Sequence, residues 1–379
     1  MENPRQITAI QASLVMISTI IGVGVLPLPL FAARAGGSGA PLVTIIGIAV
    51  ALCGLVLITR LGQRFPHQTI IEYSEDIVGK LLGRIGSVLI ILFFAVLTSL
   101  AAREFGEVVV TSVLKKTPLE VTVIVMLLLS ALSTRSSMTT FTYIHHFYFP
   151  LLVFPAILIV ALSLKNANVL FLQPVWGTGE WGSMFRGGLT IAALFQGSFV
   201  MTMVIPFMRN PSRVMKSACW AIVIAGGLYL SIVTATVSVF GSDETIKLLW
   251  PTLELAKTTS LPANILERLD AAFLAVWVTA VFTTLFSTYY FMNHALSRLL
   301  RLKDHRMFAM MTLPFVFVIA MLPQNVLNMY EIIQVVGQIG LLITVGYPLL
   351  LLVVARFRKK GGDIHGGQNS AESRSGNET

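Results

Sequence analysis

The stretch Ile21-Gly22-Val23-Gly24-Val25-Leu26-Pro27-Leu28-Pro29 lies inside an apolar run that extends from residue 8 to residue 33. A run of that length spans a bilayer as a helix, because hydrocarbon offers no partner to free backbone groups. This one carries its own interruption. Two glycines lower the cost of unwinding, and two prolines remove ladder donors and clash with preceding carbonyls. A break at mid-depth is tolerated in a membrane only where the freed groups line a protein cavity. A second interruption, Phe195-Gln196-Gly197-Ser198-Phe199 with Pro206 beyond it, stands in the sixth apolar run. Paired weak points five spans apart point to an inverted-repeat architecture with a binding site between the halves.

The rest of the chain agrees with a membrane protein. Of its 379 residues 55% are apolar and 12% charged, with a mean hydropathy of +0.80, against about 25% charged residues in a soluble domain. Spans are expected at 8–33, 40–60, 84–111, 118–134, 142–164, 186–208, 216–240, 268–297, 307–323 and 330–356. The fold class is therefore all-α: a polytopic membrane protein of about ten transmembrane helices in a five-plus-five inverted repeat with unwound first and sixth helices. One domain, 1–357, holds two repeats, about 8–164 and 186–356, and the polar tail 358–379 is expected to be disordered and cytoplasmic. The ten-residue alternation of a membrane barrel is absent. The first run is too long, and lacks the charged flank, to be a cleavable signal.

The net charge of +9 sits between and beyond the apolar runs rather than in a nucleic-acid-binding patch, so no nucleic acid is expected. With the N-terminus inside, 18 Lys and Arg fall on the cytoplasmic side and 8 outside, with Arg103 within a span. Both termini are thus expected in the cytoplasm. Cys53 and Cys219 fall within spans and read as small apolar residues without a disulfide. Residues 70–82 read as an amphipathic helix lying on the cytoplasmic surface. The loop 241–267 is long enough to fold over a cavity mouth.

Polar residues inside the spans mark the candidate sites. Glycine breaks at Gly22, Val23, Gly24 and Gly197 expose backbone; half-helix amino ends there would suit an anionic group such as a carboxylate. Thr98 on the third span, and Thr279, Thr283 and Thr284 on the eighth, are hydroxyls that either bond back to their own helix or line a pocket. Arg103, Glu104 and Glu107 lie late in the third span, Arg103 about 27 Å along it. They read as a snorkelling i,i+4 pair near the outer interface or as a gate. His145 and His146 have no companions at metal-ligand spacing, so no metal is expected. No nucleophile elbow, P-loop or zinc-protease motif occurs, which argues against an enzyme and against a cofactor.

Several segments together resemble one family. Ile7-Thr8-Ala9-Ile10-Gln11, the glycine–proline break from Gly22 to Pro29 and Leu172-Gln173-Pro174-Val175 are three of them. The most discriminating is Leu249-Trp250-Pro251-Thr252 followed by Leu266-Glu267-Arg268-Leu269-Asp270 and Trp277. The chain resembles the B-subunit of bacterial spore germinant receptors, the endospore germination permeases, over nearly its whole length. The resemblance implies the amino acid–polyamine–organocation fold and a spore inner-membrane complex with A-type and C-type subunits. It implies a small-molecule germinant, often an amino acid, bound between helices one, three, six and eight. Carried onto this chain, that site comprises Gly22, Val23, Gly24, Phe93, Thr98, Phe195, Gln196, Gly197, Ser198, Thr279, Thr283 and Thr284, none charged. A secondary amino-acid transporter and a germinant-gated ion channel are the alternatives the same fold allows. The apparently peripheral placing of Glu104 and Glu107 leans toward sensing.

Overall fold

The computed structural model describes residues 6–177, 179–258 and 269–360. The last part of the loop expected at 241–267, including Leu266 and Glu267, the first residue of the next expected span, Arg268, and the tail beyond residue 360 lie outside the described residues.

Among the described residues the chain is helical throughout, save an isolated parallel bridge between Ile7 and Met208. The first run becomes α1 (Ala9–Ile20), a short 3-10 turn (Val23–Val25) and α2 (Leu28–Gly36). Helices α3 (Ala40–Arg64), α4 (Ile70–Val78), α5 (Lys80–Ser112), α6 (Leu119–Thr134) and α7 (Met138–Ser163) complete the first half. The second half opens with α8 (Trp181–Ala193), a 3-10 turn (Gln196–Val200) and α9 (Met201–Val204). It continues with α10 (Val214–Phe240), α11 (Ser242–Thr245), α12 (Pro251–Thr258) and α13 (Leu269–Leu299). It ends with α14 (Arg306–Met311), α15 (Leu313–Ala320), α16 (Val326–Leu341) and α17 (Tyr347–Phe357). Six helical stretches are long and apolar enough to cross a membrane, and a seventh arises if α8 and the segment after its 43° bend form one span. The other expected spans correspond to shorter apolar helices, Ala9–Ile20, Leu119–Thr134 and Arg306–Ala320.

Burial explains which helices form the centre. The described residues of α13 after Ala272 are mostly buried, with Tyr289, Tyr290, Phe286 and Phe291 all at most 2% exposed. Large apolar residues of α5 and α7 such as Leu89, Leu92, Phe147 and Phe154 stay exposed on the outside of the bundle. That is the inverse of a soluble protein and is what a lipid-facing rim requires. Cys53 and Cys219 are unpaired and exposed on this rim.

The helix expected over residues 70–82 is shorter and less superficial. It ends at Gly79, whose φ of 98° only glycine adopts cheaply, and Leu81 and Leu82 belong to the exposed start of α5. Its Ile70, Ile71, Tyr73, Ser74 and Ile77 are buried in protein. Ion pairs tie it down: Glu75 to Arg84 at 3.2 Å and to Arg301 at 3.1 Å, and Glu72 to Arg298 at 3.5 Å. The start of the expected tail joins it too, since Arg358 Nη1 donates to the Ile77 carbonyl at 2.8 Å and Lys360 reaches that of Asp76.

Candidate functional site

Helix α1 stops where the glycines begin. Its last four carbonyls lose their ladder partners, and most find side chains elsewhere in the chain. Thr283 Oγ1 donates to the Ser18 carbonyl at 3.0 Å, Thr284 Oγ1 to that of Thr19 at 3.0 Å, and the Tyr229 hydroxyl to that of Ile20 at 2.6 Å. Beyond the break, Thr252 Oγ1 donates to Val25 O at 2.7 Å and its amide to Leu26 O at 3.4 Å. The donors are treated differently. Among the described residues, the amides of Gly22, Val23 and Gly24 donate to no backbone carbonyl. The break therefore leaves three successive amides without a backbone acceptor, while the carbonyls of Ser18, Thr19, Ile20, Val25 and Leu26 around it are engaged.

Glycine is needed here for space. A Cβ on Gly22 would stand 2.1 Å from Thr284 Oγ1, and one on Gly197 would stand 2.8 Å from Thr19 Cγ2 and 3.0 Å from Thr19 O. The two broken segments thus approach α13 and each other at backbone distance. In the second break Gln196 Nε2 donates to the Gly337 carbonyl at 2.7 Å, while its Oε1 is buried without a partner.

Between the breaks lies a cavity of about 90 Å³, room for several waters or a small organic molecule. Of the residues expected to bind, Gly22, Val23, Gly24, Gln196, Gly197 and Thr284 line it. The others stand behind the wall. Thr98 donates to Phe94 O at 2.7 Å, and its Oγ1 lies 2.9 Å from the hydroxyl of Thr288, itself a lining residue, which can donate to it. Thr283 is spent on Ser18, and Thr279 bonds its own helix at Val276 O, 2.6 Å. Phe93 packs edge-on to Phe94, and Phe195 edge-on to Tyr229. Phe195 and Ser198 line a smaller neighbouring space with Gln196.

The charged triplet divides, which corrects the expectation of an uncharged cavity and of a peripheral Glu104. Arg103 pairs with Glu107 at 2.9 Å as the spacing implies, but it is 6% exposed and does not snorkel. Glu104, 3% exposed, lines the central cavity. Depth counted from one end of α5 misleads because the helix has 33 residues, about 50 Å at 1.5 Å per residue and well beyond a bilayer core. A signal was present in the spacing: Leu97, Leu100, Ala101 and Glu104 all line the cavity, the i, i+3, i+4, i+7 face of one helix. The contribution of α16 (Ile333, Val336, Gly337) had no comparable signal.

Two linkages extend from the cavity. Trp250 Nε1 donates to the Tyr330 hydroxyl at 2.8 Å, and that hydroxyl reaches Glu104 Oε1 at 3.4 Å. The loop ahead of α13 is thereby tied to the cavity wall. On the other side, His145 is fully buried, with Nδ1 on Phe141 O at 2.8 Å and Nε2 on Ser287 Oγ at 2.7 Å. A carbonyl only accepts, so Nδ1 carries the proton. Ser287 in turn meets Thr19 Oγ1 at 2.7 Å, joining α7, α13 and α1.

The comparisons agree with this geometry. Over 94% of this chain and 90% of the other, the fold matches the crystal structure of MhsT in complex with L-phenylalanine, with a TM-score of 0.66 and 12% identity. The chain is 26% identical over 359 residues to spore germination protein YndE of Bacillus subtilis, covering 94% of this chain and 98% of that protein. It is 24% identical to spore germination protein B2 of the same organism, covering 95% and 98%, and 22% identical to spore germination protein GerLB of Bacillus cereus, covering 91% and 93%. The family model described as "Spore germination protein" matches residues 6–329. With two unwound helices facing each other across a buried cavity, this multi-pass membrane chain belongs to the spore germination protein family.

Proposed function

We propose that this chain is the nutrient-binding membrane subunit of a spore germinant receptor, a B-type subunit that takes a small amino acid into the central cavity and triggers germination. The observation that carries the reading is the one-sided satisfaction of the α1–α2 break. The carbonyls of Ser18, Thr19, Ile20 and Val25 are capped by Thr283, Thr284, Tyr229 and Thr252, while the amides of Gly22, Val23 and Gly24, residues that line the cavity, donate to no backbone carbonyl. Open amides in a buried, otherwise mostly apolar site call for an acceptor, and a carboxylate is the strongest available. Gln196, which also lines the cavity, keeps an Oε1 that accepts no hydrogen bond and would become available to an ammonium if its side chain turned.

The chain sits in the spore inner membrane with both termini in the cytoplasm and works with A-type and C-type subunits. Ligand binding favours one arrangement of the broken helices over another, and the partner subunits read that shift. The relatives named as spore germination proteins and the likeness to a structure solved with L-phenylalanine support this reading. A second reading, a secondary transporter, gains support from Glu104, since a carboxylate facing the cavity is a coupling group in carriers. Reconstituting the purified chain in vesicles separates the two. Saturable binding of labelled amino acid without accumulation fits the receptor subunit; gradient-driven accumulation by this chain alone overturns it.

A further inference from the structure

Among the described residues, Glu104 is the one acidic side chain lining the cavity, and no basic group lines it. Among the described residues no Lys, Arg or His lies within ion-pair distance of it; its neighbour Arg103 is engaged by Glu107 at 2.9 Å. The Tyr330 hydroxyl, which accepts from Trp250, is left to donate to Oε1 at 3.4 Å. The contact through Oε1 is the one hydrogen bond the carboxyl makes among the described residues, and Glu104 lines the cavity.

The other titratable or charged groups around Glu104 do not compensate it. Tyr330 on α16 and Tyr229 on α10 are phenols and bring no cation, Glu107 shares its helix but is paired, and Glu120 on α6 is exposed. The lining residues of α1, α8 and α13 bring no charge. An uncompensated buried carboxylate is costly. Two arrangements of a filled cavity avoid that cost. Either a zwitterion, of net charge zero, sits beside a protonated Glu104, or a ligand of net charge +1 sits beside the carboxylate.

We propose that Glu104 imposes a charge rule on the cavity: ligand and Glu104 side chain are together electrically neutral in the bound state. A zwitterionic amino acid enters with a proton on Glu104, and a singly cationic analogue of the same shape enters without one. A ligand of net charge −1 is refused. Glu104 is then the specificity-determining residue for ligand charge. The proposal rests on the amino-acid reading of the site given above.

Alanine and alaninamide test it, because they share a shape and differ by one unit of charge between about pH 5 and pH 7. Whatever the protonation state of Glu104 in the empty cavity, the bound forms differ by one proton. The ratio of the alanine to the alaninamide dissociation constant therefore rises by about tenfold per pH unit across that window. The same measurement on Glu104→Gln, which keeps the size and a hydrogen-bond acceptor, gives a ratio independent of pH. A wild-type ratio that stays flat overturns the charge rule, whether or not the variant folds. A ratio that keeps its slope in a folded Glu104→Gln protein overturns the assignment to Glu104. If neither ligand binds at any pH, the amino-acid reading itself falls and the rule with it; binding of both without the slope removes the rule alone.

Discussion

Thr252 Oγ1 donates to the carbonyl of Val25 at 2.7 Å, across 227 positions of sequence. One hydroxyl from the first turn of α12 thus caps a carbonyl that the α1–α2 break sets free. Thr252 is 2% exposed, so water cannot take its place. Thr252→Val keeps the shape and strands the carbonyl, at a cost of about 1–3 kcal/mol. Thermal unfolding of the purified protein in detergent should show the loss, and Thr252→Ser should restore most of it. An unchanged transition in Thr252→Val would show that the cap is dispensable.

The glycines of the two breaks are limited by space as well as by backbone freedom. Gly22→Ala drives a methyl to 2.1 Å from Thr284 Oγ1, and Gly197→Leu places a side chain where Thr19 already stands 2.8 Å from the first added carbon. Both variants should reach the membrane in normal amount and lose ligand affinity by about tenfold or more, since misplaced binding groups forfeit at least one charge-assisted hydrogen bond. Membrane-fraction blotting beside a binding assay checks this. Spores carrying Gly197→Leu should fail to respond to germinant.

Trp250, Tyr330 and Glu104 form one chain of contacts, so their substitutions should not add. Tyr330→Phe leaves both the indole N–H and the carboxyl without their partner, and Trp250→Phe removes only the outer contact. A double-mutant cycle on thermal stability should return a coupling of about 0.5–3 kcal/mol. Additivity within error would mean that the loop and the cavity wall are energetically separate.

The acidic helix α4 carries a pH signature. Burial raises the Glu75 carboxyl, but hydrogen bonds and charge from Arg301 and Arg84 outweigh it and hold the group below the usual carboxylate range. A carboxyl lowered by folding contributes stability above its unfolded-state value, and that contribution fades as pH falls through the folded one. Wild type should therefore exceed Glu75→Gln in stability at neutral pH, with the gap closing as the pH drops below about 4, the ordinary range for Glu. Paired melting curves at several pH values read the effect. A gap that stays constant would assign the role of Glu75 to packing instead.

How far the site was legible depended on whether each residue announces itself locally. The broken helices did, because Gly22-Val23-Gly24 and Pro27-Leu28-Pro29 act on the backbone within a few residues whatever surrounds them. Gly197 did for the same reason. Thr279, Thr283 and Thr284 are chemically alike in sequence, yet only Thr284 lines the cavity; Thr283 turns to Ser18 and Thr279 to its own helix. Thr283 and Thr284 are adjacent and so point about 100° apart around the helix, and which direction is the inside depends on neighbours far away in the chain.

The sequence by itself determined the membrane class, the helical secondary structure and the two break points, since each follows from hydrophobic run length and from glycine and proline acting locally. Only the tertiary structure decided what the breaks offer. Residues more than 200 positions distant cap the α1 carbonyls and leave the amides bare. The length of a 33-residue helix and its packing against the two breaks carry Glu104 from its expected edge to the cavity. Charge and hydrogen-bond satisfaction are sums over everything within a few ångströms, and in a bundle of this kind those neighbours come from both halves of the chain.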